Sequence, residues 1–369
     1  MAARAVRIGG RLARAGRLAE GWLEIRGERI AAVEPGRPPR GVRRHAGVIA
    51  PGLCDIQVNG GAGANVTDGS RGLDAIDALQ LAHGVTSYLP TVISTSPAAA
   101  EDAVRELAER AADPRSPVEG VHLEGPFLNP AYRGVHPPER LASPADGEPS
   151  YYRDPAVRLV TLAPELPGAI ELVATLRRRG TTVGIGHTAA SAGQAERAAA
   201  AGASLVTHVF NGMKDFHHRS PNVPGWALAA SRMHVSVIAD GHHVDPVALR
   251  LIDRLARRRV VLVTDASPAA GAGDGRYSMA GVEISAHEGR VSDERGVLAG
   301  SALRLDEAVR RWSALAGAPL AEALAAASER PARLVGVAGG LRPGAPADLV
   351  LMDDGGTVQR VMRRGVWVA

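Results

Sequence analysis

Through the middle of the chain, short apolar runs recur. Each is closed by Gly or Pro and followed by an Ala-, Leu- and Arg-rich stretch of helical character. The runs are VEGVHLEGP, RLVTLAPE, TTVGIGHT, ASLVTHVFN, HVSVIADGHH and RVVLVTDAS, with segments such as GAIELVATLRRRG and SAGQAERAAAAG between them. The polar residue at the end of each run gives the series Glu124, Glu165, His187, His208, Asp240 and Asp265, spaced 21 to 41 residues apart, the size of βα units. Alternating strands and helices imply a parallel sheet, and this many units predict a (β/α)8 TIM-like barrel. Every strand of such a barrel ends at the same mouth, so these six residues, far apart in sequence, are expected to converge.

The two ends of the chain read differently. Residues 1–50 carry AVRIGG, GWLEIRG and RIAAVEPG before the turn-rich GRPPRG, and the last thirty or so residues carry ADLVLMD, TVQRVMRRG and VWVA. These are short strands without intervening helices. The expectation is therefore that 1–50 and 337–369 form one small β-sandwich domain, and 51–336 the barrel. The length of 369 residues accommodates a barrel of about 250 residues and an accessory domain of this size. With 45% hydrophobic but only 3% aromatic residues, the core must be aliphatic, which suits short buried strands under Ala-rich helices.

Net charge is +4, and Lys214 is the only lysine. The arginines are interleaved with acids, as in ELAERAADPR, with no basic stripe carrying aromatics. This argues for a solvated surface and against nucleic-acid binding, while leaving room for a local pocket for a small anion. No apolar run approaches the length of a membrane span, and the basic N-terminus lacks an apolar signal core. One cysteine, Cys54, excludes an intramolecular disulfide. A cytoplasmic protein is expected.

Of the twelve histidines, nine lie between His122 and His243. His187 and His208 end consecutive predicted strands, and Glu124 ends an earlier one. Glu, His and His from three strand ends suit a divalent metal with room for water; strand capping by hydrogen bonds is the plainer alternative. Asp265 suits a general base and acid across the mouth, or equally a helix N-cap, since Ser and Pro follow closely.

The segments PGLCDIQVNG, GVHLEGPFLNPAYRGVH, GIGHTAA, THVFNGMKDFHHRSPNVPG, VIADGHHVDP and VLVTDAS occur in that order. Together they closely resemble the signature segments of N-acetylglucosamine-6-phosphate deacetylases, a branch of the amidohydrolase superfamily, and GLRPGAPADLVLMD resembles the superfamily's C-terminal β segment. The resemblance implies metal-dependent hydrolysis of the acetamide of N-acetyl-D-glucosamine 6-phosphate, within amino-sugar catabolism or recycling. By the same resemblance, Glu124, His187 and His208 bind one divalent metal per subunit, and Asp265 is the acid/base. A Glu/His₂ site suits zinc, with iron, cobalt and manganese chemically admissible. His136 contacts the acetyl carbonyl with Val135 alongside. Asn211, Gly212, Arg219 and His243 hold the sugar phosphate, and Leu298, Ala299 and Gly300 form a lining loop. The family's dimers imply that Arg219 reaches in from a partner subunit. His217 and His218 match a variant pattern of unassigned role, exposed loop histidines being the plainer reading.

Two departures stand out. Most amidohydrolases carry His-x-His after the first barrel strand, whereas this chain has Gln57-Val58-Asn59; Lys214, the only candidate for a bridging carbamate, lies in a loop-like segment. Gly212 stands where Ala is usual in the family. The rival readings are the same chemistry on another N-acyl sugar, such as N-acetylgalactosamine 6-phosphate, and a non-catalytic scaffold with this fold.

Overall fold

The computed structural model describes residues 5–230 and 232–369. Eight strands form one sheet in which each neighbouring pair runs parallel. In chain order they are β1 (Leu53–Val58), β2 (Val85–Ile93), β3 (Val121–Glu124), β4 (Val157–Leu162), β5 (Thr182–Ile185), β6 (Leu205–Val206), β7 (His234–Ile238) and β8 (Val260–Val263). Strand order follows sequence order. The sheet closes where Val58 pairs with Ala266, just beyond β8, and where Ala266 O accepts the backbone N–H groups of Asn59 and Gly60 at 2.8 and 2.9 Å. Helices fill most of the crossovers, among them Ala169–Arg178, Ala192–Ala201 and Pro246–Ala256. This is the (β/α)8 barrel that the recurring apolar runs predict.

β2 escapes the sequence reading. Its segment, VTSYLPTVI, contains Pro90, and proline within an apolar run argues against a sheet strand because it cannot donate to the ladder. Here Pro90 sits opposite Val58 where the β1–β2 register shifts, and all nine residues of β2 are buried. An insertion after β8 also goes unread. Gly275–Met279, Val282–His287 and Arg290–Asp293 form a three-stranded antiparallel sheet, with a small core of its own that includes Met279, Ile284, Val291 and Val135.

The chain ends form one seven-stranded sheet. Val6–Arg14, Arg17–Arg26, Arg29–Pro35 and Arg43–Pro51 join Leu349–Met352, Val358–Arg363 and Val366–Trp367. Its apolar side chains, including Ile8, Leu23, Ile25, Ile49, Leu349 and Met362, enclose a second core with Leu341 from the preceding segment. Arg363 fastens this sheet to the barrel: its guanidinium is buried and donates to the carbonyls of Thr86 at 3.2 Å, Pro114 at 2.7 Å and Ser116. Truncation strands the buried carbonyls of Thr86 and Ser116 without this donor, so Arg363→Ala is expected to cost about 3 kcal/mol. Denaturant unfolding should show this as a lowered midpoint; an unchanged midpoint would mean that the sheet is held by its apolar contacts alone.

Candidate active site

The strand ends place the predicted residues as expected. Glu124 is the last residue of β3, and His187, His208 and Asp265 lie two residues beyond the ends of β5, β6 and β8. His187, His208 and Asp265 adopt positive φ, +49°, +28° and +50°. Such backbone is strained for side chains larger than glycine and clusters at functional positions. It turns each chain sharply at the barrel rim, so that the side chain points across the mouth. No helix begins at Asp265, which removes the N-cap reading of that residue.

Glu124, His187 and His208 meet at one carboxylate oxygen. His187 Nε2 lies 3.2 Å from Glu124 Oε1, and His208 Nε2 lies 3.0 Å from the same atom. All three are buried. His187 Nδ1 is 2.8 Å from the Tyr132 carbonyl. Only a donor fits there, so Nδ1 carries a proton. Nε2 then faces the carboxylate either as the second N–H of an imidazolium or as a lone pair with a cation between them. Burial opposes charge on Glu124, but the contacts with His187 and His208 outweigh it and hold its carboxyl well below the usual carboxylate range. This donor set fits a divalent metal.

A second triplet, Glu124, His136 and His187, also has ligand atoms within 4.8 Å of one another. The tautomer of His136 argues for a different role. Its Nδ1 accepts the Ser94 backbone N–H at 3.2 Å, with the Ser94 hydroxyl 2.9 Å away. The neutral ring therefore carries its proton on Nε2, which points into the site 3.9 Å from Glu124 Oε2. Burial, reinforced by the neighbouring His187, lowers the His136 pKa to about 3. His136 is thus a neutral N–H donor facing the cavity.

Asp265 is held by the two amides that replace the superfamily's paired histidines. Asn59 Nδ2 donates to Asp265 Oδ1 at 2.7 Å and Gln57 Nε2 at 3.1 Å; Gln57 Nε2 also donates to Glu124 Oε1 at 3.0 Å. Both contacts fall on Oδ1. Burial, and then the Glu124 charge, raise the Asp265 pKa above the usual carboxylate value. Asp55, a conceivable second-metal ligand, is engaged elsewhere: Thr264 Oγ1 donates to it at 2.6 Å and Gln57 N at 3.2 Å.

The other two strand-end acids are braces. Glu165 accepts from Thr188 Oγ1 at 2.5 Å, Ala189 N at 2.6 Å and Asn129 Nδ2 at 2.9 Å, fixing the turn after His187. Asp240 Oδ2 lies 2.6 Å from His243 Nδ1 and orients that ring. Sequence reading singled out both acids by position without distinguishing them from the reactive ones.

A cavity of about 200 Å³ joins these groups. Its lining includes Val135, His136, Asn211, Gly212, His243, Leu298 and Gly300, together with Glu124, His187, His208 and Asp265. Ala299 is fully buried behind this wall rather than in it. Ile93, Asn59, Ile238, Met279 and Val297 also line the cavity; of these, only Asn59 drew notice in the sequence. Gly212 has φ +57°, and a Cβ there would stand 2.9 Å from His187 Nδ1. The family's usual alanine would thus press on His187 in this chain. Arg219 is not part of this cavity. It is exposed on the loop after Met213, 3.0 Å from His218 Nε2, beside the exposed Phe216. His217 and His218 are exposed on the same loop, their rings 4.3 Å apart and tilted by 36°.

Comparison with known proteins gives the family. The amidohydrolase family model matches residues 48–368, and the chain belongs to the amidohydrolase family. Within the family it is 39% identical to the N-acetylgalactosamine-6-phosphate deacetylase of Escherichia coli O157:H7, over 94% of this chain and 95% of that one. It is 38% identical to the human N-acetylglucosamine-6-phosphate deacetylase, over 97% and 94%. A mutant N-acetyl-D-glucosamine-6-phosphate deacetylase from Mycobacterium smegmatis, solved in complex with N-acetyl-D-glucosamine-6-phosphate, superposes with a TM-score of 0.93 at 32% identity, covering 98% of this chain and 99% of that one. No described helix is long and apolar enough to cross a membrane.

Proposed function

We propose that this enzyme hydrolyses the acetamide of N-acetyl-D-glucosamine 6-phosphate to D-glucosamine 6-phosphate and acetate. The observation that carries this reading is the convergence of a Glu/His/His donor set, a neutral His136 N–H and the Asp265 carboxylate on one cavity. The deacetylase relatives support the same chemistry.

One divalent cation, held by Glu124, His187 and His208, would supply Lewis-acid polarisation of the amide carbonyl and a water of lowered pKa. Zinc suits this set best, with iron, cobalt or manganese as alternatives. Asp265 Oδ2, free of the contacts that hold Oδ1, takes the proton of the attacking water. It then returns that proton to the departing nitrogen. His136 Nε2–H donates to the carbonyl oxygen as negative charge gathers on it. Asn59 Oδ1 is buried without a partner among the described residues and serves as an acceptor for the substrate.

Among the described residues, the cavity has no Lys or Arg in its lining, and its volume is below the roughly 300 Å³ usual for small-molecule sites. The phosphate end therefore needs a cation from outside this subunit. We assign that role to Arg219 across a homodimer, a reading supported by its exposure and by the exposed Phe216 beside it. Asn211, Gly212 and His243 complete the phosphate end within the subunit.

Arg219→Ala is expected to raise KM for the phosphorylated sugar by about 10-fold or more, the scale of one charge-assisted contact, and to leave an unphosphorylated analogue unchanged. Mixing Arg219→Ala with Asp265→Asn subunits should restore part of the activity, since one composite site regains both groups. No recovery in a verified heterodimer would refute the shared site.

The same reading makes 1–50 and 337–369 a unit distinct from the catalytic barrel at 51–336, supported by the chain-end sheet and its own core. A cytoplasmic setting is supported by a lone free thiol, the buried Cys54. Acetate release from N-acetylglucosamine 6-phosphate, with metal analysis of the same sample, tests the function. The galacto epimer belongs in the panel because the Escherichia coli relative is named for it. Failure to release acetate from either epimer in a metal-replete sample would overturn the proposal.

A further inference from the structure

A larger cleft, about 940 Å³, lies at the opposite mouth of the barrel. Its walls come from the beginnings of the strands: Thr182 opens β5, Ser204 precedes β6, His234 opens β7 and Arg258 precedes β8. The same strands carry His187, His208 and Asp240 at their far ends. At about 3.3 Å per residue, the cleft is on the order of 15 Å from the catalytic cavity, and the two share no lining residue.

Five arginines line this cleft: Arg177, Arg232, Arg258, Arg330 and Arg333. They arise from four separate parts of the chain. Arg330 is neutralised by Glu322. Among the described residues, the side chains of the other four form no ion pair and no hydrogen bond, unlike most arginines of the barrel. The acid in the lining, Glu196, already accepts from the Trp226 indole N–H at 2.7 Å. Nearby Arg259 turns away and spends its donors on the carbonyls of Ala227, Leu228 and Met233. His234 adds a buried Nδ1 with no partner among the described residues. Burial, with help from the surrounding guanidinium groups, lowers the pKa of that ring.

These four guanidinium groups, outside any ion pair and facing one carboxylate, Glu196, in the lining, repel one another and raise the local positive potential. Guanidinium forks match the oxygens of a phosphoryl group, and each contact is charge-assisted. We propose that this cleft is a second, non-catalytic binding site for a small phosphorylated metabolite. The inference does not rest on the catalytic reading. Its position allows the ligand to bind while the catalytic cavity is filled, so the two should not compete.

Trp226 lies in the lining and gives a local probe. The holoenzyme labelled with 5-fluorotryptophan should show four fluorine signals, with that of Trp226 assigned through Trp226→Phe. Titration with inorganic phosphate and with a hexose 1,6-bisphosphate, at constant ionic strength, should shift the Trp226 signal saturably. Arg219→Ala, which removes the proposed phosphate contact of the catalytic cavity, should give the same curve. The triple variant Arg177→Ser/Arg232→Ser/Arg333→Ser should weaken the response at least 10-fold while kcat/KM stays at its original value. Arg232→Glu alone, on an exposed turn, should weaken it in the same direction. The proposal fails if no saturable shift is seen. It also fails if sodium chloride gives the same shift, or if the response persists in both variants.

Discussion

Asp265→Asn is expected to lower turnover by about 10²–10⁴-fold, the usual scale for a general acid/base, with fold and metal content intact. Asn59 and Gln57 both donate to Oδ1. The asparagine therefore settles with its oxygen in that place and its NH₂ where Oδ2 stood. That group accepts no proton, so attack by water and departure of the amine both lose their relay. Glu124, His187 and His208 are untouched, and metal analysis should give the same content as the unaltered protein. Near-normal turnover in a metal-replete variant would remove Asp265 from the mechanism.

The dialysed protein is expected to hold about one tight metal equivalent, and a chelator should abolish turnover until one equivalent is returned. The argument lies in what β1 presents to the mouth. Where the superfamily's paired histidines would offer lone pairs, Gln57 and Asn59 turn N–H groups toward Glu124 and Asp265. Donors with positive hydrogen ends repel a second cation. Lys214 is exposed in a loop and supplies no bridging carbamate. Gln57→His/Asn59→His should accordingly gain affinity for a second ion, which metal stoichiometry after dialysis would reveal. Two tight equivalents in the unaltered protein would contradict this assignment.

How much of this was legible in the sequence depends on the kind of signal each residue leaves. Glu124, His187, His208 and Asp265 each close an apolar run, and the barrel turns that regularity into proximity. Their partners leave no such mark. The pairing of His136 Nδ1 with Ser94, or of Asp240 with His243, depends on rim geometry that no periodicity encodes. β2 was hidden by Pro90, which sits where the register slips. The insertion after β8 was hidden among turn residues, although it supplies Met279 and Val297 to the cavity wall. The arginine cleft was invisible for a further reason. Its members lie in separate segments, Arg177 in TLRRRG, Arg232 in SRMH, Arg258 in ARRR and Arg330 and Arg333 in ERPAR, and only the packing at one mouth brings them together.

The left-handed backbone at His187, His208 and Asp265 bears on how this chain tolerates change. Each such residue carries a conformational penalty on the order of 1 kcal/mol that glycine would not. Selection for thermal robustness alone would therefore favour glycine at the very positions where activity demands histidine or aspartate. Consensus-based stabilisation of the chain would have to exempt these three sites.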